Sequence, residues 1–110
     1  MSMSSAIKEV LMLDNKKTLT IYRAAVKRWG TASQVLMCVE ECAELQKLLL
    51  HEMRFAKTIR PEDILEELAD VQIMVEQMRV VFGFTTHEFM NKRAEKLRRL
   101  KLRTQEADSV

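Results

Sequence analysis

Carboxylate side chains with helical spacing are concentrated in two segments near the middle of the chain. The first segment contains Glu40, Glu41 and Glu44, and the second contains Glu67 and Asp70. Projected at about 100° per residue, the second pair points into an apolar stripe, and the first three lie on the flank of another. Two carboxylates on each of two facing helices would present four hard oxygen donors to one point. Such a donor set suits magnesium, and manganese is also possible.

Acids that face an apolar seam need a compensating charge, because an ionised carboxylate loses much of its hydration there. A divalent cation would supply that charge. In the alternative interpretation, the acids pair with Lys and Arg of neighbouring helices or lie on a solvated face. By the same projection Glu66 and Glu76 lie away from the stripe, so only a subset of the acids faces inward.

The histidines and cysteines of the chain do not form a recognisable nucleophilic or metal-binding motif. Di-iron bundles place a histidine three residues after a glutamate, whereas the residues three before His51 and His87 are leucine and phenylalanine. Cys38 and Cys42 stand four apart on one predicted helix, without a C-x-x-C spacing. We expect them to be reduced thiols that act as small hydrophobic side chains.

The elements that must position the acids are helices. A chain of 110 residues and 12.8 kDa corresponds to one small domain. With 47% hydrophobic and 31% charged residues it has enough apolar side chain to fold. Two glycines and one proline are too few turn-formers for a sandwich or barrel of many short strands. The composition therefore predicts an all-α fold.

Four long helices follow from the apolar periodicity and the residues at its ends. The predicted ranges are about 15–29, 31–53, 61–82 and 85–103, after a short turn up to Leu13. The expected start and stop signals are a cap at Asp14 or Asn15, Gly30, a Thr31/Gln34 capping box, Pro61, Gly83 and a Thr85/Glu88 capping box.

We expect these helices to form a four-helix-type bundle in a single domain, 1–110. Its core covers about 15–103, and 104–110 form a frayed tail. A bundle of this size with one wide apolar face often completes its core by pairing with a copy of itself. The sequence therefore predicts a homodimer or homotetramer.

The charge balance is close to neutral but unevenly distributed. The net charge of +2 is too weak to indicate nucleic acid as a partner. Residues 92–103, however, contain seven basic residues and the single acid Glu95. The N-terminus has no apolar signal region, and no window approaches the ~20 apolar residues of a membrane span. We therefore expect a cytoplasmic protein without a membrane partner.

The order of the acidic motifs resembles the signature of a known family. The chain contains Glu40-Glu41-Cys42-Ala43-Glu44 and, about twenty residues later, Glu67-Leu68-Ala69-Asp70. This pattern resembles the motif of the MazG-like all-α nucleoside triphosphate pyrophosphohydrolases. The likeness extends to Trp29-Gly30 followed by Gln34, and to the terminal Lys96-Leu97-Arg98-Arg99-Leu100. It covers most of the chain and is reminiscent of the compact bacterial and phage members.

The resemblance implies magnesium-dependent hydrolysis between the α and β phosphates of a nucleoside triphosphate, which releases a monophosphate and pyrophosphate. The implied metal ligands are Glu41, Glu44, Glu67 and Asp70. Glu40 is then a candidate for orienting or deprotonating the attacking water. Phosphoryl chemistry depends mainly on positioning and charge neutralisation, so the lack of a glycine-rich phosphate loop agrees with this function.

A triphosphate also needs cationic side chains. Lys92, Lys96 and Arg99 have i, i+4, i+7 spacing and form one basic ridge on the last predicted helix. We expect this ridge to bind phosphate, and the alternative for each residue is a solvated helix face. If the chain is not an enzyme, residues 92–103 would instead serve a nucleic-acid-binding or scaffold protein.

Candidates for contact with the base are fewer. The indole of Trp29 could stack on a nucleobase or belong to the core. The amide of Gln34 could read a base edge or form the capping box with Thr31. The sequence leaves these alternatives open.

Overall fold

The computed structural model describes residues 16–54 and 59–108, and this part of the chain contains four helices and no strand. The helices are α1 (Lys16–Trp29), α2 (Thr31–Arg54), α3 (Pro61–Val81) and α4 (Thr86–Asp108). The all-α prediction is confirmed. The predicted end of the last helix was too early, because residues 104–108 are helical rather than a frayed tail. The short N-terminal turn and the cap at Asp14 or Asn15 lie outside the described residues.

Gly30 separates α1 from α2, as predicted. Its φ of +87° lies in the left-handed region, which glycine adopts without a Cβ clash. Its N–H donates to the carbonyl of Val26 at 2.8 Å and closes the last turn of α1. The capping box predicted for Thr31 and Gln34 is wrong, because Thr31 is already the first residue of α2.

The end of α3 forms a Schellman motif at Gly83. The φ of Gly83 is +75°, and its N–H donates to the carbonyl of Val80 at 3.2 Å. The N–H of Phe84 donates to the carbonyl of Arg79 at 2.8 Å. These two bonds satisfy carbonyl groups that the end of the helix would otherwise leave free. The predicted role of Gly83 is confirmed.

The start of α4 is held by the predicted capping box. The N–H of Glu88 donates to Oγ1 of Thr85 at 3.1 Å, and the N–H of Thr85 donates to Oε1 of Glu88 at 3.1 Å. Arg79 reaches across the joint, where it donates to Oγ1 of Thr86 at 3.2 Å and lies 5.3 Å from the ring centre of Phe89. The short connection between α3 and α4 is therefore fixed from both sides.

The pairing of α2 with α3 positions the acidic residues. These two helices form the main contact of the fold, and α1 packs against both. Gln34 contacts Gln77 and Glu41 contacts Glu67, so residue numbers rise along α2 as they fall along α3. The two helices are therefore antiparallel, and one side chain seam runs between them.

Most apolar side chains of the described residues are at least partly exposed. Among the described residues, only two apolar side chains are buried, Tyr22 and Met74, with exposures of 4% and 6%. The radius of gyration is 17.4 Å, against about 13 Å for a compact chain of this length. Much of the apolar surface therefore remains on the outside of the three packed helices.

The fourth helix lies largely outside this packed group. α4 makes no extensive contact with α1, α2 or α3 within the described residues. The seven basic residues of 92–103 are all exposed, and burial against the other helices would deprive them of water. Within the described residues, the four predicted long helices are present, but only three of them pack extensively together.

Candidate metal centre

Three carboxylates from two helices meet at one point of the seam. One carboxylate oxygen from each of Glu41, Glu67 and Asp70 lies within 4.8 Å of the other two. Glu67 and Asp70 stand three residues apart on α3, so both face α2 on the same side, where Glu41 meets them. The structure thus brings together three of the four acids that the sequence predicted as metal ligands. All three are hard oxygen donors of the kind that magnesium and manganese prefer.

The cluster has a buried side and an open side. Glu41 and Glu67 are half-buried, and Oε2 of Glu41 and Oε1 of Glu67 are buried without a hydrogen-bond partner among the described residues. Asp70 is exposed, so it lies at the rim of the seam rather than inside the apolar stripe as predicted. The orphaned oxygens fit a bound cation, because a buried polar atom without a partner is unfavourable.

No cationic side chain neutralises this cluster in the described part of the chain. The ion pairs found there join Arg60 to Asp63 at 3.3 Å, and Lys92 and Arg99 to Glu95 at 2.9 and 3.3 Å. Within residues 16–54 and 59–108, none of these three acids forms an ion pair with Lys or Arg, although Asp70 does lie on a solvated face, as the alternative interpretation allowed.

Proton binding by Glu67 reflects this lack of compensation. A hydrogen bond with Glu41 is the largest of several causes that together raise the pKa of Glu67 from its ordinary value of 4.5 to about 7, and burial is the second. The negative charges of Glu41, Glu44 and Asp70 add to the same effect. Without a cation, the cluster therefore holds a proton that an isolated glutamate would have lost.

The stability of the metal-free protein should consequently fall as the pH rises from about 4.5 to about 7. Between these values the folded chain binds more protons at Glu67 than the unfolded chain does, and above pH 7 the difference disappears. Denaturant unfolding in EDTA at pH 5 and pH 8 measures the fall. Glu67→Gln should lack this component, and Glu66→Gln should retain it. Equal pH dependence in the wild type and in Glu67→Gln would contradict this account.

The other two acids of the first motif have different positions. Glu40 and Glu44 are both exposed. Glu44 is close enough to influence the pKa of Glu67, but it does not belong to the three-carboxylate group. It lines a cavity of about 340 Å³ together with Lys47, His51 and Asp63. Glu44 therefore borders the cluster, and Glu40 lies outside it.

The two acids predicted to lie away from the seam behave differently from each other. Glu66 is exposed, as predicted. Glu76 is half-buried, and its Oε2 accepts a hydrogen bond from the hydroxyl of Tyr22. The reason is that α3 has a second neighbour, α1, on this side. Glu76 therefore has a structural partner.

The basic ridge is present but is separate from the cluster. Lys92, Lys96 and Arg99 are exposed on α4. The pKa of Glu95 is lowered mainly by a hydrogen bond and the charge of Lys92. The charges of Arg99 and Lys96 lower it further. Within the described residues α4 makes no extensive contact with α2 or α3, so the fold of one chain does not bring these three cations onto its own carboxylates.

The two candidates for base contact are located in very different surroundings. Trp29 is 61% exposed at the end of α1, so it is not a core residue of a single chain. Gln34 is only 2% exposed, and its Oε1 accepts a hydrogen bond from Nε2 of Gln77. The Gln34 amide thus faces the helix seam and not a solvent-accessible base.

Gln77 is a partner in this seam that the sequence analysis did not single out. It stands seven residues after Asp70, as Gln34 stands seven residues before Glu41. Two turns of a helix return to nearly the same face. This matched spacing is the signal that could have found the pair.

Comparisons with protein-family models, curated proteins and solved structures give no match to this chain. The chemistry of the carboxylate cluster and the order of the acidic motifs in the sequence are the remaining indications of function.

Proposed function

We propose that the chain is a metal-dependent nucleotide pyrophosphohydrolase that converts a (d)NTP into the (d)NMP and pyrophosphate. The observation that carries this proposal is the convergence of Glu41, Glu67 and Asp70 without a cationic partner among the described residues. The motif resemblance to MazG-like enzymes supports the choice of reaction.

The donor set fits a hard divalent cation. Glu41, Glu67 and Asp70 would hold Mg²⁺ or Mn²⁺, and Glu44 at the border of the cluster would complete the set of four. The two buried carboxylate oxygens without partners are the structural observation in favour of this fit. When bound, the ion neutralises triphosphate charge and lowers the pKa of water.

The residues of the chain then have defined tasks. Water attacks the α-phosphorus, the bond from that phosphorus to the bridging oxygen breaks, and pyrophosphate leaves with that oxygen. The proton lost by the water needs an acceptor, and we propose the exposed carboxylate of Glu40, which precedes Glu41 in the sequence. No covalent nucleophile is required, because the barrier is lowered by positioning and charge neutralisation.

The reaction products provide the sharpest test of this proposal. A panel of NTPs and dNTPs is incubated with Mg²⁺ in ¹⁸O-labelled water, and pyrophosphate and orthophosphate are measured separately. We expect pyrophosphate together with a monophosphate that carries ¹⁸O, and no turnover in EDTA. Release of orthophosphate and a diphosphate would overturn the assignment, even if every carboxylate proved essential.

The assembly of two or four copies is part of the same proposal. Four apolar residues of α2 are 55–86% exposed: Leu36, Val39, Leu50 and Met53. At about 100° per residue they share an arc on the side opposite Gln34 and Glu41. A second copy of this chain would cover this stripe and add the apolar core that one chain lacks.

Disruption of this stripe should separate the copies. We expect the wild type to have the mass of two or four chains by light scattering, and Leu36→Glu/Leu50→Glu to have the mass of one. Leu102→Glu is the matched control, since Leu102 on α4 is 58% exposed and Leu50 is 55% exposed. A single-chain mass for the wild type, or dissociation by the control alone, would refute the assignment of this face.

A second candidate function is favoured by the exposure of α4. Its seven basic residues lie on a helix without extensive packing, which would suit contact with phosphates of DNA or RNA. Such a module should bind nucleic acid in EDTA and lose affinity steeply with salt, whereas the proposed enzyme requires metal and free nucleotide. No described helix is long and apolar enough to cross a membrane.

A further inference from the structure

A pair of glutamine side chains is buried in the seam between α2 and α3. Gln34 is 2% exposed and Gln77 is 4% exposed, which makes them as buried as the two core residues Tyr22 and Met74. Nε2 of Gln77 donates to Oε1 of Gln34, and this bond joins residues 43 positions apart in the chain. The pair is therefore a specific long-range contact between the two helices that carry the carboxylates.

The amide pair is an incompletely satisfied polar layer. Nε2 of Gln34 is buried and has no hydrogen-bond partner among the described residues. A buried donor without an acceptor loses its hydration without compensation. One hydrogen bond is thus formed at the expense of one orphaned donor, so the pair contributes little or nothing to net stability. A role other than stability accounts better for two glutamines at these positions.

The spacing along both helices relates the amide pair to the carboxylates. Gln34 precedes Glu41 by seven residues on α2, and Gln77 follows Asp70 by seven residues on α3. Seven residues are about two helical turns, or roughly 10 Å along each axis. Because the helices are antiparallel, pairing Gln34 with Gln77 places Glu41 opposite Asp70 and Glu67. Apolar side chains in the seam can pack in several helix registers, whereas a buried amide is stable only in a register that gives it a hydrogen-bond partner.

We infer that Gln34 and Gln77 are positioning residues, which fix the register of α2 against α3 so that Glu41 meets Glu67 and Asp70. A single buried polar residue in a helix seam is known to specify register at some cost in stability. The pair holds the metal ligands in place from two turns away and does not touch the ligands itself. The inference rests on the proposed function only where metal affinity is measured. The register of the two helices can be measured separately.

The test is the double substitution Gln34→Leu/Gln77→Leu, which replaces both amides by apolar groups of similar size. The double variant should unfold at the same temperature as the wild type or higher, because the orphaned donor is gone. Each single variant should melt lower, because it leaves the remaining amide without its partner. Binding of Mn²⁺, followed by the loss of the free-ion signal in electron paramagnetic resonance, should weaken about 10–100-fold in the double variant. Stability and metal affinity therefore move in opposite directions.

A matched control lies in the same seam. Met74→Leu exchanges one buried apolar side chain for another and should leave Mn²⁺ affinity unchanged. The register is measured independently by spin labels at Gln46→Cys and Gln72→Cys, with Cys38 and Cys42 replaced by alanine. The chain with both glutamines should give one narrow distance, and the double variant a shifted or broadened distribution.

The outcomes separate this inference from the proposed function. Wild-type Mn²⁺ affinity together with the same narrow distance in the double variant would overturn the inference, as would a double variant that fails to fold. If the wild type binds no Mn²⁺, the metal site fails, but the spin-label distances still decide whether the amides fix the register.

Discussion

Glu67→Gln and Asp70→Asn are each expected to reduce pyrophosphate release by more than about 100-fold, since each removes a negatively charged ligand from the carboxylate cluster. The fold should remain intact. Glu67→Gln should even raise the free energy of unfolding at pH 8, because it deletes one of three crowded carboxylates at nearly constant volume. Turnover with saturating nucleotide and Mg²⁺, and denaturant unfolding without metal, measure the two effects separately.

The matched control for this experiment is Glu66→Gln. Glu66 has the same side chain and lies next to Glu67 on α3, but it is exposed and is not part of the cluster. We expect its activity to be close to that of the wild type. Equal activities for Glu66→Gln and Glu67→Gln would show that the direction in which these acids face does not matter, and the site would be wrong.

Addition of Mg²⁺ or Mn²⁺ without nucleotide should raise the melting temperature markedly. A cation that binds only the folded chain adds about 2.7 kcal/mol when its concentration is a hundred times its Kd. For a domain of this size that corresponds to a rise of about 10 °C. The cause is the relief of repulsion among Glu41, Glu67 and Asp70; one buried oxygen of Glu41 and one of Glu67 have no hydrogen-bond partner in the described residues. Thermal melts in EDTA and in millimolar Mg²⁺ provide the comparison.

The metal effect should depend on pH and on the ligands. Because a proton competes with the cation at Glu67, whose pKa is about 7, the rise should be larger at pH 8 than at pH 6. Glu67→Gln and Asp70→Asn should lose most of the rise, and Glu66→Gln should retain it. The same melting temperature in EDTA and in Mg²⁺ would remove the main support for a preformed carboxylate site.

Local signals in the sequence were sufficient for much of the framework. Gly83, Pro61 and the Thr85/Glu88 capping box act on residues within one turn, so their effect is visible without knowledge of the fold. The meeting of Glu41 with Glu67 required one further step, namely that two consecutive amphipathic helices pack against each other. Periodicity gave the inward face of each helix, and the connection made them antiparallel.

The parts that sequence reasoning missed depend on which elements become neighbours. Glu76 lies on the outer side of the stripe, but α1 covers that side and supplies Tyr22 as a donor. Gln34 had two plausible local explanations, and its actual partner is 43 residues away. The position of α4 outside the packed helices likewise depends on its contacts with other helices and cannot be read from its own apolar periodicity. Such pairings are long-range properties of the fold.

The separation of α4 from the other helices also determines how the chain opens. In a single chain, α4 is stabilised mainly by local interactions. These are its capping box, the ion pairs of Glu95 with Lys92 and Arg99, and the connection to α3 at Gly83. Unfolding α4 beyond that joint exposes little surface from α1, α2 or α3. Its amide hydrogens therefore exchange with solvent through a local opening, whereas those around Tyr22 and Met74 require the packed helices to separate. A rise in protection of the α4 amides on association would mark the moment when another molecule covers this helix.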